Sequence, residues 1–263
     1  MYNLFTKTLY DKRAFVVGWG LGLAFLGFLM MIFYPAFHQD MGLDQLISSL
    51  PPALQGLVGN LNDLKELPSY IGSQLFEVRI PIFVSILSII LAVGLTVAEE
   101  EKGQLRTLAA LPLGRSRILI GKWLAIIIIS FTATLATIVG IVIGLVTIGE
   151  TLDPLVVLRL GAMMWLLSIS LATVVFGIGL ASGKRGLTMG LGVLIAVGSF
   201  ILTTFAKSVD WLQPYEHASL LHYFPATAIA KGDIALLDGI VLSGVTLVFL
   251  LIGIIFFRRR DIG

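Results

Sequence analysis

The sequence contains no cysteine and little charge. The absence of cysteine among 263 residues excludes disulfides, thiolate metal sites and cysteine nucleophiles. Charged residues make up 13% of the chain, whereas a soluble domain carries about 25%. Hydrophobic residues make up 57%, and the mean hydropathy is +0.97. This composition indicates an integral membrane protein, and the net charge of +2 is too small to indicate a nucleic-acid partner.

Sequence patterns for catalysis, nucleotides or metals are also missing. Residues 179–186, GLASGKRG, have one residue too few for a phosphate-binding loop, and Arg185 stands where Ser or Thr would hold magnesium. His217 and His222 are five apart, which is not the spacing that puts two zinc ligands on one helix face. A serine nucleophile with a well-placed base is not apparent either. We therefore predict no enzyme activity, cofactor or metal on this chain.

Six long apolar runs are free of Asp, Glu, Lys and Arg, and each is close to the roughly 20 residues that cross a bilayer. They are residues 14–37, 80–98, 123–149, 160–183, 186–206 and 239–257. The sequence therefore predicts an all-α membrane protein with six transmembrane helices in one domain, residues 1–263. Charges at midplane depth, which mark many ion-coupled carriers, are absent from these runs.

The distribution of Lys and Arg predicts the orientation of the six runs. Thirteen of the eighteen lie in the segments on the side of the two termini, and five lie on the other side. Because cytoplasmic loops carry the excess of Lys and Arg, we expect both termini in the cytoplasm. The predicted location is a prokaryotic cytoplasmic membrane.

The segments outside the runs differ in character. Residues 1–13 place Leu4, Phe5 and Leu9 on one face and end in basic residues, which predicts an interfacial helix on the bilayer; a frayed tail is the alternative. Residues 38–79 are broken by prolines and predict short helices near the outer surface. Residues 207–238 are half apolar, and such a segment can re-enter the bilayer before the sixth span if protein buries its backbone.

Small residues recur at four-residue spacing within the runs, as in helices that pack closely. The pairs are Gly18 with Gly22, Gly140 with Gly144, and Gly186 with Gly190. They predict either packing within one subunit or contact with a second one.

A charged segment, AEEEKGQLRTLAALPLGRSRILIGKW (98–123), separates the second and third runs. Glu99, Glu100 and Glu101 follow the end of a helix, where the macrodipole disfavours anions. Beyond Gly103, the pattern predicts a short amphipathic helix that ends before Pro112. Its apolar ridge and mixed-charge rim are typical of a docking element, and a solvated loop is the alternative.

Residues 99–125 resemble the hallmark E-x-E-x-G-(T/Q)-L-x-x-L-L-x-x-P-x-x-R of ABC-2 type transporter permeases, followed by a lysine that corresponds to Lys122. The terminal FFRRRDIG is similar to the common ending of that family. The resemblance implies a permease subunit of an ATP-driven exporter. In that family, the loop between the second and third spans is a coupling helix that sits on a separate ATP-binding subunit.

The resemblance also implies a second permease subunit, identical or homologous, and ATP with magnesium bound on the partner chain only. It assigns ATPase coupling to Glu99, Glu100, Glu101, Lys102, Gly103, Leu105, Arg106, Leu108, Pro112 and Arg115. Two alternatives remain: a secondary carrier or channel that needs no ATPase, and a membrane anchor or assembly protein that transports nothing.

Overall fold

The computed structural model describes residues 2–38, 66–103, 114–206, 209–233 and 236–259. Across these ranges the chain is helical and no residue lies in a β-strand. Six of the described helical segments are long and apolar enough to cross a membrane. We number them span 1 to span 6: Arg13–Ala36, Leu67–Glu101, Ser116–Ile148, Pro154–Ser182, Arg185–Phe205 and Leu236–Arg259. The prediction of an all-α protein with six membrane helices is confirmed.

The first helix, Tyr2–Asp11, precedes the helix Arg13–His38, which contains span 1. It packs against the long helix Arg115–Ile148 of span 3, and Thr8 is buried in that contact region. The alternative of a frayed N-terminal tail is therefore wrong for these residues. The position of the helix relative to the lipid stays a prediction.

Span 2 begins earlier than the sequence indicates. Its helical segments are Leu67–Tyr70, the π-helical Ile71–Arg79, Ile80–Leu95 and Val97–Glu101. The prediction of outer surface helices is wrong for residues 67–79, since Ile71, Leu75 and Phe76 are at most 1% exposed. Pro68 does not break the helix because it lies in the first turn, where its missing N–H costs no hydrogen bond. Residues 39–65 of that prediction lie outside the described residues.

Span 4 is the centre of the bundle, and it contacts spans 2, 3, 5 and 6, while span 1 packs along span 3. Hydroxyl groups join these helices. Ser88 of span 2 donates to the Ser168 carbonyl of span 4 at 3.1 Å, and Ser168 donates to the Ser130 hydroxyl of span 3 at 3.0 Å. Ser170 donates to the Leu242 carbonyl of span 6 at 2.9 Å. Because lipid cannot satisfy such groups, these bonds help to fix the helix pairs.

Between spans 5 and 6, the described residues form three short helices, Asp210–Ala218, Leu221–Tyr223 and Ala226–Ala230. The last of them packs on the π-helical part of span 2, where Gly72 leaves room for Thr227. The Glu77 carboxylate accepts a hydrogen bond from the Thr227 amide at 3.0 Å. The depth of this segment in the bilayer, and so its re-entrant character, stays a prediction.

Candidate functional site

The charged segment starts where span 2 is interrupted at Thr96. Its backbone angles, φ −117° and ψ −98°, are not helical. The amide of Glu99 therefore bonds to the Thr96 carbonyl at 3.2 Å instead of to the Leu95 carbonyl, which would be its partner in a continuous helix. The Thr96 hydroxyl donates to the Ala92 carbonyl at 2.7 Å, within the same turn. The interruption leaves the carbonyl of Leu95 to be paired by another group.

Lys122 of span 3 supplies that partner. Its ammonium donates to the Leu95 carbonyl at 2.9 Å and forms an ion pair with the Glu99 carboxylate at 2.5 Å. The Lys122 side chain is 1% exposed, and that of Glu99 is 19% exposed. Because a buried ammonium must be paired and hydrogen-bonded, this geometry fixes the end of span 2 to span 3. We call Leu95, Glu99 and Lys122 the lysine clamp.

Span 4 packs closely against span 2 at the same interruption. An added Cβ on Gly179 would lie 2.5 Å from the Thr96 hydroxyl, so only glycine permits this approach. Span 4 therefore packs beside the lysine clamp, next to spans 2 and 3.

Two weaker contacts extend from the clamp at what we call the charged end of the bundle, where span 1 begins and span 6 ends. Glu101 pairs with Arg185 at the start of span 5, at 3.4 Å, and both side chains are about half exposed. Arg258 at the end of span 6 donates to the Ser116 hydroxyl of span 3 at 2.9 Å. Exposed pairs of this kind contribute about 1 kcal/mol or less. The Lys122 pair is the buried contact of this set.

The structure brings part of the predicted coupling set together. Glu99 and Glu101 make the contacts just described, and Glu100 lies between them on the helix Val97–Glu101. Lys102 ends that helix, and Gly103 adopts a positive φ of 71°, which turns the backbone away from it. Arg115 begins the helix of span 3. Leu105, Arg106, Leu108 and Pro112, and with them the predicted coupling helix, lie outside the described residues.

Lys122 corresponds to the lysine of the family motif, but it is not among the predicted coupling residues. The apolar pattern predicts that Lys122 lies just before the third span, at the interface, whereas the helix begins at Arg115. The sequence does contain a signal that Lys122 is buried, because apolar residues surround it at helical spacing. Residues 118, 119, 125, 126 and 129 are all at most 3% exposed, and Lys122 lies in the middle of that stripe.

Spans 1, 2 and 5 expose apolar side chains. Leu21 and Phe25 of span 1 and Leu194 of span 5 are each more than 60% exposed, and Ile86 of span 2 is 42% exposed. Two of the predicted glycine pairs are on spans 1 and 5, and an added Cβ would meet no atom within 4 Å at Gly18, Gly22, Gly186 or Gly190. In contrast, Gly140 and Gly144 of span 3 lie against span 1 within the chain.

Comparison with known proteins agrees with this architecture. The family model described as "ABC-2 family transporter protein" matches residues 2–262, which is nearly the whole chain. Among curated proteins, none matches the chain significantly.

Proposed function

Because this chain belongs to the ABC-2 family of transporter proteins, we propose that it is the permease subunit of an ATP-driven exporter. In this proposal it works with a separate ATP-binding subunit, which holds ATP and magnesium and carries out hydrolysis. A second permease subunit faces it across the substrate path. The chain itself lines that path and changes conformation during transport, and it has no enzyme activity.

The observation that carries the proposal is the attachment of the charged segment to the bundle. The segment leaves span 2 at the lysine clamp, which is buried against span 3, and the Glu101–Arg185 pair extends the connection to span 5. A displacement of residues 104–113 by a partner would therefore act on three spans together. An ordinary solvated loop would not need a buried ammonium at its base, because burying one is costly.

The uncovered glycines of spans 1 and 5 support the proposed second permease subunit. Lipid does not drive membrane helices together, so their association relies on close packing and small residues. Gly18 and Gly22 on span 1 and Gly186 and Gly190 on span 5 have free space above them. A second copy, or a homologous chain, could approach the backbone at both places.

The test is to co-express this chain with any Walker-motif ATPase that a neighbouring reading frame encodes and to purify the complex through a tag on the permease. We expect two copies of each subunit and ATP hydrolysis that vanadate inhibits. Solute movement in proteoliposomes by the chain alone would instead establish the secondary carrier. A stable complex that never couples ATP hydrolysis to solute movement would establish the non-transporting anchor.

The proposed orientation puts the charged end in the cytoplasm, and the lack of cysteine makes it easy to test. Lys184 and Tyr215 are both exposed and lie at opposite ends of span 5 and its following segment. A cysteine at Lys184→Cys should react with an impermeant maleimide only in inside-out vesicles, and one at Tyr215→Cys only in intact cells. The reverse pattern would contradict the orientation.

A further inference from the structure

A cavity of about 570 Å³ opens at the charged end, between the junction of helix Tyr2–Asp11 with span 1 and the neighbouring ends of spans 2 and 5. Its wall has a charged part and an apolar part. The charged part includes Lys12, Lys102 and Arg185, and the apolar part includes Ile90, Val93 and Met189. These two kinds of surface meet where the apolar helices end, at the level expected for lipid headgroups.

Two ammonium groups of the charged part are not paired by any carboxylate of the described residues, whereas Arg185 pairs with the half-exposed Glu101. Within the described part of the chain, the ammonium groups of Lys12 and Lys102 have no carboxylate within 4.0 Å. Lys12 instead extends toward span 2, where an added Cβ on Gly94 would lie 3.1 Å from its nitrogen. Of the acidic residues in the wall, Glu99 is neutralised by Lys122, and Asp11 remains as an exposed carboxylate.

The apolar part continues along the bundle. Ile89 lines both this cavity and a second, apolar groove of about 250 Å³ between spans 2 and 5, which is also lined by Ile86 and Val193. Ile90 and Met189 at the junction are 45% and 47% exposed. A molecule with an anionic head and a hydrocarbon tail would match this surface, with its head beside the lysines and its tail along spans 2 and 5.

We propose that this cavity binds an anionic phospholipid from the membrane leaflet at the charged end, with the phosphate between Lys12, Lys102 and Arg185. The site goes beyond the proposed transport function, since it does not depend on what the protein moves. It joins helix Tyr2–Asp11 to the start of the charged segment and to span 5. Bound lipid would therefore hold the base of that segment in place. On the basis of the proposed function, ATP-driven turnover would then require anionic lipid.

The test uses the purified transporter complex in nonionic detergent and a phosphatidylglycerol with a fluorescent acyl chain, beside the matching phosphatidylcholine. We expect tighter binding of phosphatidylglycerol by about tenfold or more, since each basic residue near a headgroup contributes about fivefold in affinity. Lys12→Gln and Lys102→Gln should each weaken its binding about fivefold, and the double variant about twentyfold. Asp11→Asn should strengthen it, because a repelling carboxylate is removed.

Two lysines serve as matched controls. Lys7 and Lys184 are exposed and precede Lys12 and Arg185 of the wall in the sequence, but they do not line the cavity, so Lys7→Gln and Lys184→Gln should leave the affinity unchanged. Equal effects of these controls and of Lys12→Gln would overturn the proposal, as would equal affinity for the two lipids. Displacement of the lipid by millimolar inorganic phosphate would also overturn it, because the site would then recognise the free anion. The ATPase subunit should be retained in every variant. Loss of lipid binding with the ATPase subunit retained then concerns the lipid site alone, whereas absence of the ATPase subunit from the wild-type complex would concern the proposed transport function.

Discussion

Replacing Lys122 with methionine is expected to lower stability more than a change in either exposed contact of the charged end, and to weaken coupling as well. Methionine has a similar volume and can remain in the buried site, but it cannot neutralise Glu99 or pair the Leu95 carbonyl. Removal of one partner of a buried ion pair costs about 3 to 5 kcal/mol. The apparent melting temperature in detergent should therefore fall by about 10 °C, at roughly 2 to 4 °C per kcal/mol.

A double variant separates the ionic contribution from a simple packing defect. Glu99→Gln together with Lys122→Met removes both charges, and isosteric replacement of a buried pair is often neutral or nearly so. The double variant should thus regain most of the stability lost by Lys122→Met alone. Arg185→Gln is the matched control, because it breaks the exposed pair with Glu101 and should lower stability by less than about 1 kcal/mol.

Coupling is measured on the double variant, which is stable but has lost the ionic connection. We expect it to retain the ATPase subunit while solute movement per ATP hydrolysed falls several-fold, since the end of span 2 is no longer fixed to span 3. Transport at the wild-type ratio by this stable variant would show that the lysine clamp is structural only. A double variant as unstable as Lys122→Met would contradict the ion-pair argument itself.

The helices were largely predictable from the sequence because the bilayer imposes a simple condition. A chain that spans it must satisfy its backbone within each helix, so an uncharged run of sufficient length indicates a span. Span 2 was the largest exception, since it begins at Leu67 and the predicted run began at residue 80. Its first turns include Ser73, Gln74, Glu77 and Arg79, whose polarity suggested an outer loop. These residues are accommodated by contacts that sequence patterns do not reveal, such as the Glu77 bond to the Thr227 amide 150 residues away.

The candidate site was predictable in its location but not in its geometry. Three adjacent glutamates at the end of a membrane span are unfavourable beside the helix macrodipole and mark this segment, and the family motif assigns it a coupling role that stays a prediction. The partners are remote in sequence: Lys122 lies 23 residues beyond Glu99, and Arg185 lies 84 residues beyond Glu101. Their pairing depends on how spans 3 and 5 pack beside span 2. The interruption at Thr96 that exposes the Leu95 carbonyl is likewise a tertiary feature, since Gly179 of span 4 provides the space for it.

The second large effect is expected in the segment Leu105 to Leu108, whose role rests on the sequence pattern and on the proposed function. If this segment docks on the ATP-binding subunit, Leu105→Asp or Leu108→Asp places an unpaired charge in a partly dry interface. Burial of such a group costs about 2 to 4 kcal/mol, which corresponds to about thirty- to thousand-fold in affinity for the ATPase subunit. Arg106→Glu is the control on the rim, where a charge mainly affects the association rate and its salt dependence.

These variants should leave the membrane part intact, because the changes lie outside all six spans and outside the lysine clamp. The measurement is the amount of ATPase subunit retained on the purified permease, together with permease yield and melting temperature. Normal yield with loss of the ATPase subunit would support docking through Leu105 and Leu108. Loss of both yield and ATPase subunit would indicate a folding defect, and the less disruptive Leu105→Ala and Leu108→Ala variants would then be measured instead. Full ATPase retention by both aspartate variants would remove this segment from the interface. The lysine clamp would then be a support for the bundle without a coupling role, and the case for ATP-driven movement through this loop would fail.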